Sequence, residues 1–162
     1  MDLKDIDETV AIEETVRVPA LRERAFHAFA RELDRWWPPA YTWAGDTIRH
    51  ITVEPFVGGR CLEIGPNRFV ICWGRVTEWD EPERLAFTWQ ISMDRQPVPN
   101  PEQASLVVVR FAAVEDATQV QLTHRAFERH GDGGEAYREA LAGAEGWPYI
   151  LSRFQAFLAE SP

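Results

Sequence analysis

The chain has 162 residues, 45% of them hydrophobic and 27% charged, which is enough apolar sequence for one globular core and too much for a disordered chain. Its 26 Asp and Glu outnumber 17 Lys and Arg, leaving a net charge of -9 that argues against nucleic acid and anionic membrane surfaces as partners. No run approaches the roughly 20 apolar residues of a membrane-spanning helix, so no membrane insertion is expected.

Residues 1–9 are polar and read as a flexible tail, and 10–160 as a single domain. The acidic start to Glu14 lacks the apolar centre of a signal peptide, so the expected location is the cytoplasm. Val10 to Val18 alternates Val10, Ile12, Val16, Val18 and reads as a first strand, ended by Pro19. Leu21 to Leu33 has neither Pro nor Gly. It places Leu21, Ala25, Phe29 and Leu33 on one helical face, and Trp36-Trp37-Pro38-Pro39 stops it. Residues 36 to 47 form an aromatic loop or a second short helix.

Strand-like runs follow at Ile48–Phe56, Arg60–Ile64, Phe69–Trp79, Leu85–Ile91, Ser105–Ala113 and Thr118–Ala126. They are separated by turn clusters, except for a longer loop with three prolines between Met93 and Ala104. Val120, Leu122 and His124 share one face of the last strand. A short helix spans Glu135–Ala142. A longer one starts at Gly146-Trp147-Pro148 and carries Trp147, Ile150, Leu151, Phe154, Phe157 and Leu158 at helical spacing. Consecutive strands on short turns imply an antiparallel sheet. With one apolar sheet face and one strongly amphipathic helix, the expected fold is α+β: a curved antiparallel sheet wrapped around the long C-terminal helix.

A set of strings in this order resembles the START/Bet v 1-like (SRPBCC) superfamily and its helix-grip fold. The resemblance is greatest to the branch homologous to the activator of the heat-shock chaperone ATPase. The strings are Trp36-Trp37-Pro38; Trp73-Gly74-Arg75-Val76, running on to Trp79-Asp80-Glu81-Pro82-Glu83-Arg84-Leu85; Phe87-Thr88-Trp89-Gln90-Ile91; Leu122-Thr123-His124-Arg125 with Phe127-Glu128; and Gly146-Trp147-Pro148-Tyr149-Ile150-Leu151. The resemblance implies a cavity between sheet and helix in which apolar molecules are bound, carried or transformed. It specifies no one reaction.

Seven Trp, nine Phe and three Tyr suit either a bulky core or a ring-lined cavity. The expected ligand contacts are Trp36, Trp37, Tyr41 and Trp43 at the cavity mouth, and Trp89, His124, Trp147, Leu151 and Phe154 within. His124 is also the one candidate for acid–base catalysis, with Glu63 or Glu128 as the carboxylate that would orient it. Without such a partner it is a satisfied core histidine. The leading function is binding of a small apolar molecule. A cyclase-, hydratase- or hydrolase-like enzyme in the same cavity is the alternative. A chaperone co-factor or other interaction module is the third reading: the chaperone activators carry a separate N-terminal domain, whereas about ten residues precede the first strand here.

No phosphate loop, nucleophile elbow or set of metal histidines is present in the sequence, so no cofactor and no metal are expected. Cys61 and Cys72 are expected as reduced thiols. If Gly65 to Arg68 is a four-residue hairpin loop, Ile64 pairs with Phe69. Cys61 then lies opposite Cys72, within reach of a disulfide. The same register puts Leu62, Ile64, Phe69, Ile71 and Trp73 on one face. Val70, Cys72 and Val76 lie on the other; one face is cavity or core, and the other, if exposed, would suit a homodimer.

Overall fold

A computed structural model describes residues 11–160; the expected tail at 1–9 lies outside the described residues. Seven strands form one antiparallel sheet: β1 Ile12–Val18, β2 His50–Val53, β3 Arg60–Ile64, β4 Val70–Asp80, β5 Arg84–Trp89, β6 Ser105–Val114 and β7 Ala117–Arg125. Their spatial order is β1-β7-β6-β5-β4-β3-β2. Every pair from β2 to β7 is a sequence neighbour, and only β1 crosses to the far edge to pair with β7. The sheet curls into a half-barrel around the C-terminal helix, which is the helix-grip α+β fold.

Four α-helical segments complete the fold: α1 Arg22–Arg31, α2 Leu33–Trp36, α3 Gly134–Ala142 and α4 Trp147–Glu160. The single helix expected over 21–33 divides at Glu32, whose φ of -127° leaves the helical region. The divergent residue is anchored: both carboxylate oxygens of Glu32 accept from Arg24 Nη1, at 2.9 and 3.0 Å. Helix α1 buries Ala25, Phe26 and Phe29 against the sheet, with Phe26 edge-on to Trp79 and Phe111. Helix α4 buries Trp147, Ile150, Leu151, Phe154 and Leu158, the face its sequence spacing marks. It is tied to α2 by Arg153 Nε donating to the Trp36 carbonyl at 2.8 Å.

The β3–β4 hairpin corrects the expected register. Asn67 and Arg68 both adopt left-handed backbone, and the loop takes in Phe69 as well, so that Ile64 pairs with Val70. A slip of one residue turns every side chain to the opposite face. Leu62 and Cys72 therefore sit opposite each other with Ile64 and Val70 on the outer side, while Glu63 and Ile71 pair on the inner side. A bulge between Cys61 and Leu62 then shifts the ladder again, and Cys61 meets Gly74 rather than Cys72. The cross-strand cysteine pair that a four-residue loop would create is absent, and both thiols are free. Gly74 is required there: a Cβ would stand 2.4 Å from the Thr88 carbonyl oxygen of the neighbouring strand. A second irregularity between Val76 and Glu78 keeps β4 curling with the sheet. Together the two bring Trp73, Val76 and Trp79 to the concave side, where simple alternation would turn Val76 away from the two indoles.

Candidate functional site

The loop from α2 to β2 crosses the open end of the half-barrel. Beneath it lies a cavity of about 340 Å³. Trp37 and Trp43 come to it from that loop, Trp73 from β4 and Trp89 from β5. Leu33, Ile51, Leu141 and Ile150 supply aliphatic wall from α2, β2, α3 and α4. The rings are mutually braced. Trp89 lies 6.1 Å from Trp37 and 6.2 Å from Trp73, centroid to centroid, in tilted and edge-on arrangements.

Three loops meet at the mouth through side-chain bonds to backbone. Tyr41 Oη donates to the Glu145 carbonyl at 2.9 Å, and Trp43 Nε1 donates to the Arg95 carbonyl at 2.7 Å. Arg95 Nη1 returns a bond to the Ala40 carbonyl at 3.0 Å, and its guanidinium sits 5.4 Å from the Tyr41 ring centre. Deeper in, Tyr137 Oη accepts from Trp89 Nε1 at 2.7 Å and donates to the Ile91 carbonyl at 2.8 Å. Burial pushes the Tyr137 hydroxyl up to about 12, so it stays a neutral bridge.

The wall also carries a buried carboxylate, that of Glu63 on the inner face of β3. Glu63 is 2% exposed. Its Oε1 accepts from Trp43 N at 3.1 Å and its Oε2 from Ala44 N at 2.8 Å, so it also fixes the loop that roofs the cavity.

His124 lies elsewhere, in solid core. Its Nδ1 accepts from Trp147 Nε1 at 3.0 Å. Because an indole nitrogen only donates, the proton of the neutral imidazole is on Nε2, which donates to Ser105 Oγ at 2.7 Å. Ser105 Oγ in turn donates to His130 Nε2 at 2.7 Å, and Ser105 N donates to that same nitrogen at 3.1 Å. The chain Trp147–His124–Ser105–His130 is thus consistent in every donor and acceptor. Burial first, and the neighbouring His130 second, hold His124 well below the ordinary histidine range. Burial also lowers His130.

The expected site residues therefore separate into two groups. Trp37, Tyr41, Trp43 and Trp89 line the cavity. Trp36, His124, Trp147, Leu151 and Phe154 are buried behind the wall and do not line it. Trp36 spends its indole N–H on the Ala28 carbonyl at 2.9 Å, and its ring packs 4.8 Å from Phe154. Neither carboxylate considered as a partner of His124 reaches it: Glu63 is bound to the roof loop, and the ring nitrogens of His124 are taken by Ser105 and Trp147. Glu63 instead is a wall residue in its own right. Its signal in the sequence is a lone carboxylate between Leu62 and Ile64 in a short apolar strand. Arg95 and Tyr137 left no such signal, since one is in a loop and the other in a helix of mixed character. No cluster of three or more His, Cys, Asp or Glu able to hold a metal ion occurs among the described residues.

A protein-family model described as "Activator of Hsp90 ATPase homolog 1-like protein" matches residues 19–159. The chain belongs to this family. Among solved structures, the anthrahydroquino-gamma-pyrone synthase Txn09, complexed with SUM, is 37% identical. The match covers 90% of this chain and 95% of that one, with a TM-score of 0.65. The self-sacrificing resistance protein CalC from Micromonospora echinospora is 28% identical over 93% of this chain and 94% of its own, with a TM-score of 0.62. A protein from Nitrosomonas europaea, 16% identical over 96% and 98% of the two chains, shares the fold at a TM-score of 0.67. A search of curated proteins finds none that matches. The family thus appears here on a scaffold whose described helices include none long and apolar enough to cross a membrane.

Proposed function

We propose that this protein binds a small, planar, aromatic molecule in the cavity under the α2–β2 loop. The observation that carries this reading is the wall itself: four indoles and several aliphatic side chains around about 340 Å³ of space. That volume is near the lower end of the roughly 300–1,000 Å³ of small-molecule sites, which suits a few fused rings better than a long lipid chain. Flat ligand faces match flat indole faces, and burial of each apolar Å² contributes roughly 25 cal/mol. Similarity to a protein named as an anthrahydroquino-gamma-pyrone synthase supports a ligand of fused-ring type. Native mass spectra of protein purified from its own host, before and after denaturation, test the proposal. The expected result is release of one small aromatic molecule per chain, with saturable quenching of tryptophan fluorescence when it is added back. A clean unliganded mass, with fluorescence unmoved by a panel of fused-ring aromatics, would contradict it.

A second reading, ring closure of the bound molecule, is favoured by the same 37% identity to a named synthase. On this reading the cavity holds a flexible precursor folded with its reacting atoms close together, which is itself a large part of catalysis for an intramolecular reaction. Incubation with small molecules extracted from the host separates the two readings. Binding alone returns the ligand unchanged. Ring closure returns an isomer or a product lighter by one water, detected by chromatography with mass spectrometry.

A further inference from the structure

We propose that Glu63 is the hydrogen-bond acceptor by which the cavity selects ring systems carrying a hydroxyl or amino donor over plain hydrocarbons. This rests on the binding reading above and gives it a ligand chemistry. Glu63 is paired with Ile51 on one side and Ile71 on the other, so strand register drives a carboxylate into apolar surroundings. It is 2% exposed and lines the cavity. No Lys, Arg or His among the described residues forms an ion pair with it.

A carboxylate has about four acceptor positions. Two are filled, one per oxygen, by the N–H groups of Trp43 and Ala44. Those bonds fix the direction of a group that lines the ring-lined space, with acceptor capacity left over. A hydrocarbon filling that space would remove water from the carboxylate and return nothing, whereas a phenol or aromatic amine would donate to it. Sites of this kind discriminate most strongly against the analogue that lacks the donor. The roof loop is fastened to the same carboxylate, so a donating ligand and the closed loop share one anchor.

The probes are 2-naphthol, its methyl ether 2-methoxynaphthalene, and naphthalene, titrated by tryptophan fluorescence into the wild type, Glu63→Gln and Glu63→Leu. The expected wild-type result is tighter binding of 2-naphthol than of either other probe by about tenfold or more, as for a hydrogen bond to a charged group. Glu63→Leu should collapse that preference, and Glu63→Gln, which keeps one neutral acceptor oxygen, should lower it, while naphthalene still binds. Because the readout is a ratio between ligands, any general loosening of the roof loop cancels. Should both variants fail to fold, the carboxyl ¹³C resonance of Glu63 in the wild type serves instead: it should move with 2-naphthol and not with naphthalene. Equal wild-type affinity for 2-naphthol and its ether, a preference that survives both substitutions, or a stationary Glu63 resonance overturns the proposal and leaves the binding reading standing. Failure of all three probes to bind overturns both.

Discussion

Trp89 stands between two aromatic regions of opposite character. On one side it meets Trp147 and His124, each 5.5 Å away centroid to centroid, with Phe127 tilted 4.2 Å from His124, and these side chains are buried core. On the other it touches Trp37 and Trp73, and the three rings border a cavity. The two regions use similar residues. They differ in where the polar ring atoms find partners. In the filled region the partners are other side chains on packed elements: Trp147 to His124, His124 to Ser105. Such bonds pull rings together. At the rim of the cavity loop carbonyls hold Trp43 and Tyr41, while at the wall Trp89 donates to the Tyr137 hydroxyl. Aromatic content therefore does not by itself make a binding site: similar rings fill the space on one side of Trp89 and border a cavity on the other.

The largest expected effect that would break this contrast is in the filled region. His124→Ala removes a fully buried ring and strands the Trp147 N–H, and should cost about 3 kcal/mol or more of stability in a urea melt. The folded fraction should keep its ligand affinity within a few-fold, because His124 is not on the cavity wall. Loss of affinity with stability unchanged would place His124 in the site after all. Ser105→Ala, which breaks the same chain at its middle, should cost about 1–3 kcal/mol.

At the cavity the order reverses. Trp43→Ala removes a wall ring and the Arg95 tie, and should weaken ligand binding by about tenfold with little change in melting, since its partner is an exposed loop. An affinity unchanged from wild type would show that the roof loop does not touch the ligand.

The histidine chain also predicts a pH dependence. Folded His124 resists protonation because burial strips the charged form of water, so the unfolded chain, with an ordinary histidine near 6.5, binds more protons. Stability is therefore complete above about pH 6.5 and falls as pH drops below it, by up to about 1.4 kcal/mol per pH unit for this group. His130 adds to the effect with the same sign. In the conservative variant His124→Gln the slope between pH 6.5 and 5 should flatten; an unaltered slope would assign it to other groups.

The smallest effect concerns the cysteines. Reductant should leave the melting curve unmoved, and mass spectrometry of alkylated protein should count two free thiols. Cys61, whose buried thiol is pushed far above its usual range, should react only on unfolding, and Cys72 sooner. Protection of both without reductant would mean that the β3–β4 register is other than described.

The element order, the apolar face of α4 and the inward run Val120–Leu122–His124 were legible in the sequence because each follows a simple period. The β3–β4 faces were not. They depend on two left-handed residues in a loop and a bulge opposite Gly74, and neither changes the alternation that a reader of the sequence sees. For the site, rings at the mouth were legible as a cluster following α1. What separates Trp43 at the wall from Trp36 behind it is the partner of each indole N–H, a tertiary fact. Glu63 was visible as a carboxylate out of place in an apolar strand; its role at the wall required the register.

The most direct test of the central claim is a ¹H–¹⁵N spectrum of the seven indole N–H groups during titration with 2-naphthol. The account predicts that the resonances of Trp37, Trp43, Trp73 and Trp89 shift together and saturate at one ligand per chain, while Trp79, packed against Phe26 at the far end of the sheet, stays in place. Shifts confined to Trp79, or no shift at the four wall indoles, would contradict it.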